Sequence, residues 1–191
     1  MSDHIFVGTR KGLFTLRRAG GAWQVASVDF LAAPVSMLLE DARDRSVYVA
    51  LNHGHFGAKL HVLREGAAWQ ELPVPAYAKD EPGRVCQQGG TLDDKPPTVL
   101  QVWSLEGGGA DQPGLLWAGT IPGGLFRSKD RGQSWELVRS LWDRPERAQW
   151  MGGGADQPGI HSICVDPRDT RRVTLGISCG GVWVTEDGGQ N

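Results

Sequence analysis

SKDRGQSW, residues 128–135, is the stretch on which the reading of this chain turns. Ser128, Asp130, Gly132 and Trp135 stand in an order that suits a tight hairpin. A carboxylate such as Asp130 accepts several backbone N–H bonds, with Ser128 assisting locally. Gly132 permits a backbone conformation that other residues resist, and Trp135 lays a large ring against a neighbouring strand. TEDGGQN, residues 185–191, starts the same way, with Thr185, Asp187 and Gly189 in matching places. RAGGAW (18–23) and REGAAW (64–69) keep the glycine and tryptophan without the aspartate. Short Asp turns are local hydrogen-bonding devices, so Asp130 is read as structural and is expected to hold buried backbone donors.

Outward from these turns, short runs rich in Val, Ile, Leu, Phe and Trp recur between Gly, Pro, Asp and Asn, the mark of many short strands. Examples are HIFVGT (4–9), SVYVALN (46–52), VLQVWSLE (99–106), WELVRSLW (135–142) and RVTLGIS (172–178). No apolar stripe of helical length competes. LWDRPERAQW (141–150) is broken by Pro145 and supplies a turn or two at most. KGLFTL, AKLHVL, GGLFRS and GGVWVT align Leu13, Leu60, Leu125 and Val182, at steps of 47, 65 and 57 residues. Trp23, Trp69 and Trp135 follow the three leucines nine or ten residues later. Units of roughly 40–50 residues, each with about four strands, predict β-propeller blades. The expected fold is all-β, with four-stranded antiparallel blades at about 4–30, 35–74, 99–142 and 160–191. That is a partial ring of about three and a half blades in one domain, 1–191, and about half of a complete ring is expected to be absent.

One exact internal copy does not follow this period. GGGADQPG occurs at 107–114 and at 152–159. The first copy joins the first and second strands of one blade; the second precedes the next blade. The two are therefore not equivalent positions, and they share turn chemistry, with Gly for positive φ, Asp for a cap and Pro-Gly as a stop.

With these residues in hand, the chain resembles the sialidase-like propeller superfamily. SKDRGQSW fits S/T-x-D-x-G-x-x-W, the Asp box of the bacterial-neuraminidase-type repeat. GTRKGLFTL, WAGTIPGGLFRS and PGIHSICVDP look like bacterial proteins labelled exo-sialidase or glycosyl-hydrolase-like by similarity. The resemblance implies three substrate-binding arginines, a Tyr nucleophile assisted by a Glu, and an Asp acid/base. The F/Y-R-I-P arginine motif is absent, and FVGTRKG (6–12) stands in its place. Tyr48 lies within a strand and Tyr77 has no assignable Glu, so no catalytic residue is carried over.

The formal net charge is −2, and no Lys/Arg cluster points to nucleic acid or an anionic membrane surface. No stretch approaches the ~18 apolar residues of a membrane span. Cys86, Cys164 and Cys179 form no CxxC pair, in keeping with a reduced, cytoplasmic setting.

In a propeller the Asp-box turns lie on one face, and ligands meet the other, which carries the second-to-third-strand loops and the connections between blades. This selects 9–11, 52–59, 120–124 and 178–180, with the longer connections 73–97 and 143–158. Ligand-face candidates are Arg10 and Lys11, for a carboxylate or phosphate or as exposed turn charges; His53 and His55; Trp150, as a stacking ring or as core or lid packing; and His161 on an innermost strand, facing the funnel or satisfied structurally. His53 and His55, with His61 as a third, have the makings of a metal site, but solvated loop histidines explain them as well, and neither metal nor cofactor is expected. Asp93 and Asp94 are read as solvated loop charges. Two readings follow: a scaffold that binds a carbohydrate or a protein partner on this face, or a glycoside hydrolase.

Overall fold

The computed structural model describes residues 3–81 and 96–191, together with the backbone of 85–86 and 92–93. Asp94 lies outside the described residues. Its strands are β1 (His4–Thr9), β2 (Gly12–Ala19), β3 (Ala22–Asp29), β4 (Val35–Glu40), β5 (Val47–Asn52), β6 (Ala58–Leu63), β7 (Gln70–Leu72), β8 (Val85–Cys86), β9 (Leu92–Asp93), β10 (Gln101–Gly107), β11 (Leu116–Ile121), β12 (Leu125–Ser128), β13 (Glu136–Leu137), β14 (Ile160–Val165), β15 (Val173–Ile177) and β16 (Gly181–Thr185). The main sheets are antiparallel and run in chain order: β1-β2-β3, β4-β5-β6-β7, β10-β11-β12-β13 and β14-β15-β16, hereafter sheets 1 to 4. A short ladder pairs β8 with β9.

The sheets stack face to face, and the first strands β4, β10 and β14 neighbour one another in turn. This is the β-propeller arrangement. Three apolar layers alternate with the sheets. Leu13 and Ala33 meet Val47, Val49 and Leu51 between sheets 1 and 2. Tyr48, Ala50, Leu60 and Val62 meet Val102, Leu116, Ala118 and Phe126 between sheets 2 and 3. Trp117 and Leu125 meet Ile160, Ile163, Val173 and Leu175 between sheets 3 and 4. The aligned leucines thus hold one structural position: Leu13, Leu60 and Leu125 enter the interface with the following sheet at 0, 0 and 2 % exposure. Val182, at the same place in sheet 4, is 73 % exposed.

Residues 135–142 depart from the expected strand. Glu136–Leu137 forms the paired strand; Arg139–Trp142 forms one turn of helix, α1, and Pro145–Gln149 a short 3₁₀ turn. The buried residues here are Val138, Leu141 and Trp142. Val138 and Leu141 pack between sheets 3 and 4, whereas Trp142 packs between sheets 2 and 3, so the single helical turn feeds both layers. Glu81 anchors the turn by accepting from the Trp142 indole N–H at 2.6 Å and from both terminal nitrogens of Arg139.

Candidate functional site

The two Asp turns are wired alike. Ser128 Oγ donates to Asp130 Oδ1 (2.8 Å) and accepts the Gly132 N–H (2.8 Å). Thr185 Oγ1 donates to Asp187 Oδ1 (2.8 Å) and accepts the Gly189 N–H (2.9 Å). Both use two consecutive left-handed residues, Arg131 and Gly132 at φ 61° and 84°, then Gly188 and Gly189 at 71° and 81°. The buried donor, however, is served by the hydroxyl and not by the carboxylate. Asp130 is exposed and takes the N–H and hydroxyl of exposed Ser134, bonds that hold its carboxyl below the usual range. The expectation that Asp130 holds buried donors is corrected: that task belongs to Ser128.

Each turn also latches its sheet to the one before. Trp135 donates its indole N–H to Pro73 O (3.1 Å), just past β7 of sheet 2. Trp69 packs edge-on against Phe30, just past β3 of sheet 1, at 4.9 Å. Arg127 and Ser140 of sheet 3 donate to Gly188 O and Gly189 O of the second Asp turn. Trp23 of sheet 1 has no such neighbour among the described residues and is exposed. These contacts are architectural, and they occupy the hairpin face.

On the opposite face the structure brings several predicted residues together. Arg10, Ser36, Asn52, His53 and Gln101 line an open cleft of about 700 Å³ between sheets 1, 2 and 3. Thr9 shapes the Arg10–Lys11 turn: its Oγ1 donates to Gly12 O (2.8 Å) and accepts the Lys11 N–H (3.0 Å). The Ala32 N–H, in the connection to sheet 2, donates to Lys11 O. Gly12 is required here, with φ at 129° and Asp29 O only 2.7 Å from where a Cβ would stand. The His53 loop winds as a 3₁₀ turn, Gly54–Phe56, whose Gly54 N–H donates to Asn52 Oδ1 (3.0 Å). Asn52 Nδ2 in turn donates to Gln101 Oε1 (3.3 Å), joining sheets 2 and 3 across the cleft floor. Arg10 is exposed and has no ion-pair partner among the described residues, so a guanidinium stands ready beside two amides and a hydroxyl. That set donates well to carboxylates and carbohydrate hydroxyls. A second cleft, about 560 Å³ on the hairpin face, offsets Arg17, Arg45 and Arg64 with Asp29, Glu40 and Glu65 and concentrates no charge.

Other candidates fall elsewhere. Lys11 is exposed at the tip of its turn, outside the cleft lining. His55 is exposed and lies edge-on to Phe56. His61 stacks on Phe30 at 4.7 Å in the interface between sheets 1 and 2, where burial holds its pKa down. Among the described residues no three His, Cys, Asp or Glu side chains come together as metal ligands. Trp150 does not present an open ring: it is buried against Trp183 (5.6 Å), with the Arg147 guanidinium over its own ring at 5.3 Å. Of its two readings, stacking ring and packing, the structure gives packing.

His161 is exposed on the inner strand β14, its Nδ1 2.7 Å from Ser162 Oγ. It stands at a β-bulge, and the bulge repeats. The register skips one residue between Val35 and Met37, between Val102 and Ser104, and between Ile160 and Ser162. The residues passed over are Ser36, Trp103 and His161, all on first strands, with Trp103 and His161 edge-on at 5.8 Å. Bulges re-aim side chains next to functional sites. Trp103 was not anticipated, although aligning PVSM, QVWS and GIHS reveals its place.

The identical octapeptides sit in unlike places. Residues 107–114 are clamped from both sides: Arg43 of sheet 2 donates to Gln112 O (2.7 Å) and Leu115 O (2.8 Å), and Thr170 of sheet 4 donates to Asp111 (3.0 Å). Residues 152–159 form the connection into β14. Among the described residues no helix is long and apolar enough to cross a membrane.

No protein-family model matches the chain. Over 81 residues, 42 % of the chain, it is 32 % identical to a probable oligoxyloglucan-reducing end-specific xyloglucanase of Neosartorya fischeri; the match spans 9 % of that protein. Among solved structures it is similar to YCF48 from Cyanidioschyzon merolae, a β-propeller, with a TM-score of 0.50 and 12 % identity, covering 97 % of this chain and 52 % of that one. A YCF48 structure bound to D1 peptide gives a TM-score of 0.41 at 12 % identity, covering 99 % and 76 %. The chain therefore spans about half the length of the first of these propellers and under a tenth of the curated relative, and what the comparisons establish is the β-propeller fold.

Proposed function

We propose that the chain is a binding scaffold of the Asp-box, sialidase-like propeller type that docks a protein partner on its loop face. One observation carries this reading. The large apolar side chains exposed among the described residues fall into three groups. Ile5, Val7, Trp23, Val25 and Val28 belong to the outer face of sheet 1, and Val182 and Val184 to that of sheet 4. The rest, Leu31, Phe56, Leu100 and Met151, are each more than half exposed, and all stand on the loop face. Leu31 lies in the connection between β3 and β4, Phe56 in the β5–β6 loop, and Leu100 just before β10. Met151, before β14, donates its N–H to Cys179 O of the β15–β16 loop. Exposed apolar residues gathered on one face and rimmed by polar ones mark protein contact sites, and these four stand on connections of successive sheets. Arg10 and the Asn52–Gln101 amides at their centre supply the polar specificity.

Selection of a random displayed-peptide library on the chain tests the reading. Selected peptides are expected to slow amide exchange at 30–36, 52–57 and 99–104, and a Leu31→Ser/Phe56→Ser variant to bind them at least about tenfold more weakly. Peptides that protect the 128–136 hairpin instead, or that bind the variant equally, contradict it.

The xyloglucanase likeness favours a second reading, a glycoside hydrolase acting in the same cleft. Against it, the described lining of the cleft offers no carboxylate, whereas most glycosidases need two. Tyr48 and Tyr77 are buried, and Tyr77 is bonded to Thr120 and Pro122 while burial pushes its pKa far up. Turnover of a xyloglucan oligosaccharide or a fluorogenic sialoside, abolished in Arg10→Ala, would favour this second reading.

A further inference from the structure

The connection from β3 to β4 is bent in a way its residues resist. Phe30 and Ala32 both stand in left-handed backbone, at φ 52° and 67°, and neither is glycine. A residue with a Cβ enters that region at a cost, and such costs persist where the surroundings over-determine them, as they do at binding sites. Here the surroundings do so. The Phe30 ring packs on His61 at 4.7 Å and on Trp69 at 4.9 Å. The Ala33 N–H closes the turn on Phe30 O at 2.9 Å, and the Ala32 N–H donates to Lys11 O at 3.0 Å. What this framework presents is Leu31, 78 % exposed, the most exposed large apolar side chain among the described residues.

The same bonds set cations beside it. Lys11 O holds the Leu31 turn, and Arg10, next to Lys11, lines the loop-face cleft together with Ala32. Among the described residues neither Arg10 nor Lys11 has an ion-pair partner, and no carboxylate lines that cleft. The nearby acids are committed elsewhere. Asp29 lines the hairpin-face cleft and accepts from Ser27 Oγ at 3.4 Å, and Glu71 takes Lys59 at 2.7 Å. Across the cleft, Gln101 also lines it, and exposed Leu100 directly precedes Gln101. A cation therefore lies between two apolar anchors, Leu31 on the side of sheet 1 and Leu100 on the side of sheet 3.

We propose that the segment docked on this face is acidic: an extended stretch of a protein partner that sets one apolar side chain on Leu31, another on Leu100, and an aspartate or glutamate between them on Arg10. The inference rests on the docking reading above and names its chemistry. A guanidinium takes a carboxylate through two parallel N–H bonds, which a neutral amide cannot match. Lys11 adds attraction at longer range. Leu31 is fixed before the partner arrives, so little ordering cost falls on it when the contact forms.

Three displayed-peptide libraries, alike except for a fixed central Glu, Gln or Lys among random positions, selected on the 191-residue chain, give the test. The Glu library is expected to enrich at least about tenfold over the other two, and Arg10→Glu to transfer that advantage to the Lys library. Leu31→Ala should weaken every selected peptide yet keep the preference for Glu, since it removes the apolar contact alone. Both side chains are exposed, so melting midpoints are expected to match the parent's. Should Arg10→Glu fail to fold, Arg10→Gln reads the same contact by abolishing the preference. Equal enrichment of the three libraries, a Glu preference indifferent to Arg10→Glu, or peptides indifferent to Leu31→Ala would overturn the acidic segment and leave docking on this face standing. Enrichment of none would overturn both.

Discussion

Sheets 2 and 3 differ from sheets 1 and 4 in a way their sequences barely show. VYVALN of β5 and LWAGTI of β11 are buried on both faces over five consecutive residues. IFV of β1 is as apolar, yet Ile5 and Val7 are exposed, and seven of the eight residues of β3 are exposed. The difference lies in what stands on either side. Cohesion here comes from stacking sheets, each interface burying one face of two sheets, so an internal sheet gains twice what an outer one does.

Paired substitutions at matched places would break or sharpen that contrast. The largest effect is expected from Trp117→Ala, which empties a fully buried ring between sheets 3 and 4 and costs about 3–5 kcal/mol. Trp23→Ala, on the exposed face of sheet 1, should cost under about 1 kcal/mol in the same urea titration. A loss at Trp23 equal to that at Trp117 would contradict the stacking argument.

The turns between first and second strands offer a finer comparison. Arg43 forks onto Asp41, and Arg168 forks onto Asp166 through the same atoms. Only Arg43 also spans to the carbonyls of Gln112 and Leu115 in sheet 3. Arg43→Ala is therefore expected to cost about 1–3 kcal/mol, and Arg168→Ala to leave the thermal midpoint unchanged. Within the first Asp turn, Ser128→Ala strands the buried Gly132 N–H and should cost about 1–2 kcal/mol. Asp130→Ala, losing exposed partners, should shift the melting midpoint less; the reverse order would restore the carboxylate as the main support.

The smallest effect is a dependence on pH. Burial lowers the pKa of His61 below its ordinary 6.5, so the folded state resists a proton that the unfolded chain accepts. Its contribution is present above pH 6.5 and is lost as pH falls from there through the depressed folded value. His61→Phe should remove that part of the slope, which calorimetric melts between pH 7 and 5 would register; an unchanged slope would assign it to other groups.

How much was legible follows from the kind of signal each residue carries. Leu13, Leu60, Leu125 and Val182 share a position because one side chain per repeat must enter the next interface, and that constraint leaves a period. The Asp turns were legible because left-handed backbone and a small hydroxyl are demanded locally. The loop face was legible as loops, and Arg10 and His53 do meet in its cleft. Trp103 was missed because a tryptophan in an alternating strand reads as core unless the bulge is seen, and a bulge is a property of pairing. Asp41-Ala-Arg43-Asp44 and Asp166-Pro-Arg168-Asp169 form a second repeat hidden by the octapeptide that replaces it in sheet 3. Trp150 was undecidable from sequence, because its burial depends on Trp183, more than thirty residues away.

Residue-resolved hydrogen exchange tests the stacking account most directly. Amides of β5 and β11 are expected to exchange only with global unfolding, while those of β3 and β16 exchange at least about a hundredfold faster. Equal protection across all four strands would mean that covering a sheet on both faces is not what holds this molecule together.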